Sequence, residues 1–415
     1  MKKLKTFLQK IGPGVITGAS DDDPSGIVIY AQTGAAAGTN LAWTAPFTFP
    51  FMVAIQEMCA RIGLVTGRGL IGTMKSHYPP VFLISISLLV VIANTINIGS
   101  DIAGMAAAVH LFLPINPLLI ALVFSLVIII FMIYFPYRVL AAIFKWLTLA
   151  LFAYIATALL VVDDWQTIFL NTILPHISLD REQLLLIVAI LGTTISPYLF
   201  FWQASEEAEE KRLNSHIHKI VTKNELKNMR EDVTWGMFFS NLVMFFIIIT
   251  NAQTLPRLGI TNIATPDQAA GALAPLAGQF ATLLFTIGII GTGMLAIPVL
   301  AGSAAYAVSE VFGWRQGLNL SWSRAHSFYS IIIVATLFGF LLTALGPVLG
   351  ITPFKALFLI GIIYGILSPI LIVAILHIAN NRKILGDKVN GFWSNILGAM
   401  TFVLMTAAVV AIFVL

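Results

Sequence analysis

Three consecutive carboxylates, Asp21, Asp22 and Asp23, stand inside an apolar run and are followed at once by Pro24, Ser25 and Gly26. Proline removes an amide donor and clashes with the turn before it, while glycine accepts backbone angles closed to other residues, so a helix entering this stretch is expected to break. A second stretch, ILGTTISPYLFFWQ over residues 190–203, places Thr193, Thr194 and Ser196 just before Pro197. Carboxylates, hydroxyls and freed backbone carbonyls together make an oxygen-rich site for a cation. In a soluble protein the first stretch would be only a turn or a helix cap, so its surroundings decide.

Those surroundings are apolar. The chain has 415 residues, of which 58% are hydrophobic and 10% charged, against about 25% charged in soluble domains. Long apolar runs recur, each near the roughly 20 residues that cross a bilayer core. The composition therefore predicts a polytopic all-α membrane protein with one membrane domain. A single cysteine, Cys59, leaves no disulfide framework and no cysteine-based metal site, and is expected to be a small buried hydrophobe. The net charge of +4 comes from basic residues scattered between the apolar runs, which report topology and not nucleic-acid binding. The basic opening MKKLKTFLQK has no apolar core of signal-peptide length, so no cleavage is expected.

Eleven spans are expected, at 11–36, 41–63, 81–111, 117–136, 139–162, 185–206, 233–253, 279–312, 325–346, 352–379 and 393–414. With the N-terminus in the cytoplasm and the C-terminus outside, all of the 23 basic residues except Arg181, Arg257 and Lys355 fall on the inner side. That bias needs residues 11–36 to cross, which puts the aspartates at mid-membrane. The polar segment between spans six and seven is expected to be a solvated linker helix, and its His216 and His218 match no metal-ligand spacing.

Charges at the centre of a membrane helix cost about 2.5–3.5 kcal/mol each on insertion scales, so three together need a compensating role. Non-helical backbone survives there only inside protein or beside a water-filled cavity. Spans one and six, five apart and entering from opposite sides, are both interrupted. This predicts a 5+5 inverted repeat, residues 1–162 and 185–379, with 393–414 as an additional helix. Taken alone, Pro197 reads as a simple kink. Asp101, in NIGSDIAGMAAAV, is a second buried carboxylate that fits either an ion or proton role or a structural hydrogen bond.

At these residues the chain resembles the NRAMP family of divalent metal transporters. The family's first helix carries Gly-Pro-Gly, eight residues, then Asp-Pro-Gly-Asn; here Gly12-Pro13-Gly14 is followed by eight residues and Asp23-Pro24-Ser25-Gly26. The segment QEMCARIGLVTGRGL from Gln56 to Leu70 and Ser100-Asp101-Ile102-Ala103 resemble two further family motifs. The likeness is strong to residue 110 and weaker beyond span six. It implies a LeuT-like fold with alternating access, Asp23 as the anionic metal ligand, and the carbonyls of Ser20 and Thr193 beside it. The family's metal-binding asparagine falls on Gly26 and its methionine on Ser196, which replaces a soft thioether by a hard hydroxyl. Its two sixth-helix histidines fall on Tyr198 and Gln203, and a third-helix glutamate on Gly104, so proton coupling is expected to be weakened and left to Asp23 and Asp101. Tyr364 lies near a further family ligand position.

The expected function is therefore a secondary transporter, not an enzyme, embedded in a lipid bilayer, most plainly a bacterial plasma membrane. It would carry a divalent cation into the cytoplasm through Asp23, Ser20, Gly26, Thr193, Ser196 and Asp22. The oxygen-only donor set favours partly hydrated Mg²⁺, with Mn²⁺ also accepted, and resembles the family's magnesium branch. Two alternatives remain: a proton-coupled Mn²⁺/Fe²⁺ importer, and a sodium-coupled organic-solute carrier on the same fold, against which three aspartates would repel a substrate carboxylate. No prosthetic group is expected. Asp21 and Asp22 read as supporting charge or as an outer attractor for hydrated cations.

Overall fold

The structure, a computed structural model, describes residues 12–135, 139, 146–175, 178, 180–213 and 221–414. All of the regular secondary structure among these residues is helical. The first span is two helices, α1 (Pro13–Asp21) and α2 (Pro24–Ala37). Asp22 leaves helical geometry at φ −83°, ψ 53°, Asp23 is extended at φ −69°, ψ 171°, and Pro24 takes the first helical position of α2. Proline suits that position because its missing N–H would have had no helical partner.

The succeeding helices are α3 (Thr44–Thr66), the short α4 (Leu70–Met74), α5 (Pro80–His110), α6 (Pro117–Tyr134), α7 (Phe152–Val161) and α8 (Trp165–Ile173). After them come α9 (Arg181–Thr194), α10 (Pro197–Leu213), α11 (Lys223–Thr254), α12 (Ala281–Phe312), α13 (His326–Leu345), α14 (Pro353–Ala379) and α15 (Phe392–Val414). Among the described residues, nine stretches are long and apolar enough to cross a membrane, and α7 with its sharply bent companion α8 is a tenth candidate. These ten and the broken α1/α2 pair occupy the places of the eleven expected spans. Most of residues 136–145, where the fifth span was expected to begin, lie outside the described residues, as do His216 and His218.

Two boundaries differ from expectation. α11 begins ten residues before the expected 233, because Thr222 and Glu225 form a reciprocal capping box and the polar turns after it are good helix formers. Hydropathy locates the bilayer, not the end of the helix. The segment expected to be a solvated linker instead continues α10 to Leu213, with Glu207 and Glu209 buried. On the opposite face, Asp180 caps α9; the Ser178 hydroxyl and the Gln183 N–H hold its carboxyl below the usual range.

Close backbone approach fixes both broken helices. A Cβ on Gly18 of α1 would stand 2.2 Å from the Gly236 carbonyl oxygen of α11, and one on Gly192 of α9 would stand 1.9 Å from that of Gly361 of α14. Only glycine allows backbones this near, the usual device where lipid supplies no hydrophobic drive between helices.

Candidate metal-ion site

Both breaks fall where sequence reasoning put them, and they face each other. Asp23 caps α2: its Oδ1 accepts from the Gly26 N–H and the Ser25 hydroxyl, each at 2.7 Å. Its Oδ2 accepts from Asn97 Nδ2 of α5 at 3.0 Å. Gly26 is closely surrounded by oxygens. A Cβ there would stand 3.3 Å from the Asp21 carbonyl oxygen and 3.4 Å from both Asp23 Oδ1 and Thr193 Oγ1. Asp23, Gly26 and Thr193 are thus brought together, Thr193 through its hydroxyl.

The freed carbonyls have hydroxyl partners, a point the sequence reading did not contain. Tyr198 donates to the Ser20 carbonyl at 2.9 Å, joining the two breaks directly. Ser196 donates to the carbonyls of Gly192 and Thr193, and Ser368 of α14 to that of Ile195 at 2.8 Å. The expected carbonyl ligands are therefore shared with rotatable hydroxyls, because a buried carbonyl released from a helix needs a donor.

Asp21 and Asp22 turn away from Thr193 toward α11. Ser240 donates to Asp21 Oδ2 at 2.5 Å, with Asp22 Oδ1 3.4 Å from the same hydroxyl. Asp22, expected beside Asp23, thus shares a hydroxyl with Asp21. Gln203 lies farther along α10, accepting from Thr17 at 2.5 Å and donating to Glu207 at 3.1 Å. Asp101 is fully buried, and neither of its oxygens has a hydrogen-bond partner within normal distance among the described residues. Tyr364 donates to Asn94 Oδ1 at 3.0 Å, and Asn94 Nδ2 donates to the Leu300 carbonyl at 3.0 Å. Asn94, Asn97 and Ser240 were missed. Asn97, one turn before Asp101 on the same helix, carried the only usable signal.

The two ends of the bundle differ. At the end holding Asp232, buried and half-buried carboxylates tie elements together through backbone N–H groups. Asp232 of α11 accepts from Gly12 at 2.9 Å and Gly14 at 2.6 Å. Glu310 of α12 accepts from Gly69 and Gly72, each at 2.8 Å, and Glu209 of α10 accepts from Tyr306, Leu318 and Asn319. A pocket of about 280 Å³ there is lined by Glu207, Glu210 and Asp232. The opposite end has two larger cavities, about 700 Å³ beside Gln32, Glu182 and Asn262 and about 650 Å³ reaching down to Ser100 and Ala103; Thr352 and the start of α14 lie between them.

A bundle of this kind, with two broken helices meeting at buried oxygens, is a secondary-transporter architecture. It superposes with a TM-score of 0.75 on the manganese transporter of Eremococcus coleocola, at 16% identity, covering 98% of this chain and 86% of that one. The inward-facing conformation of Mhp1 gives 0.54 at 11% identity, covering 97% and 90%. Together these place the chain in the LeuT-like fold class. Residues 14–415 match the family model described as natural resistance-associated macrophage protein-like, and the chain belongs to the Nramp family. It is similar to proteins named divalent metal cation transporter MntH. That of Klebsiella pneumoniae is 25% identical, covering 95% of this chain and 91% of its own length. That of Granulibacter bethesdensis is 23% identical, covering 93% and 84%. The expectation that the chain is not an enzyme agrees with this family, and the organic-solute reading is set aside by it.

Proposed function

We propose that this protein is a secondary transporter that moves a divalent metal cation, with Mn²⁺ as its cargo, through Asp23 at the meeting of the two breaks. The observation that carries the reading is Asp23 itself: one carboxylate oxygen caps α2, the other faces an amide, and Gly26 beside it is closely surrounded by oxygens. The likeness to the manganese transporter of Eremococcus coleocola favours manganese over the magnesium preference expected from Gly26 and Ser196. Magnesium stays as a second reading on one ground, the absence of any thioether at position 196, since hard oxygen donors suit Mg²⁺.

The carboxylate ties at the Asp232 end and the larger cavities at the other support an outward-facing arrangement, with the basic loops and the N-terminus in the cytoplasm, the C-terminus outside, and uptake as the direction. The two repeats, 1–162 and 185–379, would then exchange access around Asp23, with Ser20, Gly26, Thr193, Ser196 and Asp22 contributing oxygens or space. Asp101, Tyr198 and Gln203 are the polar groups for a proton or for supporting contacts, and Asp101 is the carboxylic acid among them.

The test is metal flux into proteoliposomes with Mn²⁺, Mg²⁺ and Ca²⁺ offered separately and a pH dye inside. Mn²⁺ uptake abolished by Asp23→Ala is the expected result. Uptake that survives Asp23→Ala would sink the site, and Mg²⁺ uptake exceeding that of Mn²⁺ would restore the magnesium reading.

A further inference from the structure

Two asparagines lie three residues apart on α5, fully buried, and only one is hydrogen-bonded at both ends. Asn94 accepts from Tyr364 and donates to the Leu300 carbonyl, so both ends of its amide are used. Asn97 donates to Asp23 Oδ2, while its Oδ1 has no partner among the described residues. An ionised carboxylate only accepts, so with Asp23 ionised the amide nitrogen faces it and the oxygen is the end left over. Leaving a fully buried amide oxygen unpaired is costly, and such groups in native structures call for an explanation.

The explanation lies across the site. Gly26 holds the position where the resembling family has an asparagine, so the first broken helix offers no amide oxygen of its own. Asn97 brings an amide to the same carboxylate from a different helix. Resting on the reading of Asp23 as the ion ligand, we infer that Asn97 is a metal-binding residue of this transporter, supplying from α5 the amide oxygen that α2 lacks. As it stands, Nδ2 holds Asp23 Oδ2. A half turn of the amide about its last torsion withdraws the N–H and presents Oδ1 to a cation seated on that oxygen. The ligand would be a divalent cation held between Asp23 and the oxygens around Gly26.

The experiment uses the full chain in proteoliposomes, with Mn²⁺ as the probe, and reads the concentration dependence of uptake together with Mn²⁺ binding to the purified protein by calorimetry. Asn97→Ala is expected to raise the KM for Mn²⁺ and weaken binding by about 10-fold or more. Adding Gly26→Asn to Asn97→Ala should recover most of that loss, because the amide oxygen returns from α2. A merely structural asparagine would not be rescued from another helix. If Asn97→Ala does not yield folded protein, Asn97→Leu, which keeps the volume and removes both amide ends, carries the same comparison. An unchanged KM in Asn97→Ala, or a loss that Gly26→Asn leaves untouched, overturns the inference. Asp23→Ala in the same assay separates the two claims: uptake that persists there overturns the ion site, whereas uptake lost there with Asn97→Ala unaffected overturns only the role of Asn97.

Discussion

Asp232 and Gly14 are joined by a 2.6 Å hydrogen bond from the Gly14 N–H to Asp232 Oδ2, while the same carboxylate's Oδ1 receives the N–H of Gly12. The first N–H groups of any helix lack helical partners, and here α11 supplies the acceptor for α1. This ties the start of α1 to α11 at the end proposed to be cytoplasmic.

Asp232→Ala leaves those two N–H groups unpaired, at about 1–3 kcal/mol for each group still buried. Opening α1 toward water would satisfy them, so the variant should favour the inward-open state. A cysteine introduced at Leu64, which lines the adjoining pocket, should react faster with a polar thiol reagent in Asp232→Ala than in the wild type. Equal rates would remove Asp232 from the gate.

Glu209 and Glu310 tie the same end together in reciprocal fashion: Glu209 reaches from α10 to the loop after α12, and Glu310 reaches from α12 to the residues around α4. Every partner is a donor, so a glutamine would turn an N–H₂ toward another N–H. Glu209→Gln and Glu310→Gln should each lower stability by about 1–3 kcal/mol per lost acceptor, measured as thermal unfolding in detergent. Glu231→Gln, at an exposed position of α11, should change little.

Gly18→Ala forces a methyl group to within 2.2 Å of the Gly236 oxygen and must push α1 off α11. Loss of transport at normal expression, or loss of folded protein, is expected. By contrast, Gly271→Ala meets only leucine side chains at 3.8 Å or more and should transport like the wild type.

Cargo preference should follow the donors at the two breaks. Ser196→Met adds a thioether and Gly26→Asn an amide, so the double variant should raise the ratio of Mn²⁺ to Mg²⁺ uptake by about tenfold. The Cβ of residue 26 fits if its neighbours give by a few tenths of an ångström. An unchanged ratio would mean that selectivity is set elsewhere.

Both breaks were legible in the sequence because Pro24 and Pro197 act locally: a proline with small polar neighbours interrupts a helix whatever packs around it. The span pattern was legible for the same reason, since a bilayer imposes one length on every crossing. Residues acting through distant backbone were not legible. Asp232, Glu209 and Glu310 stand in polar or ordinary helical sequence, and their partners are N–H groups that every residue possesses. The segment around Glu207 looked solvated because its charges pointed that way; the loops that bury it lie a hundred residues downstream. Asn97 was overlooked since an asparagine in a membrane helix often places its amide nitrogen on nearby backbone, as Asn251 does on the Ile247 carbonyl.

The cap on α2 gives Asp23 a second duty. The carboxylate that would grip the cargo also terminates a helix, through Ser25 and Gly26, so the pull of a divalent charge on one oxygen must be felt as a change in the firmness of the other. Helix α2 would thereby sense occupancy at its very first turn. Arrival and departure of the ion would be signalled along α2 to the cavity beside Gln32.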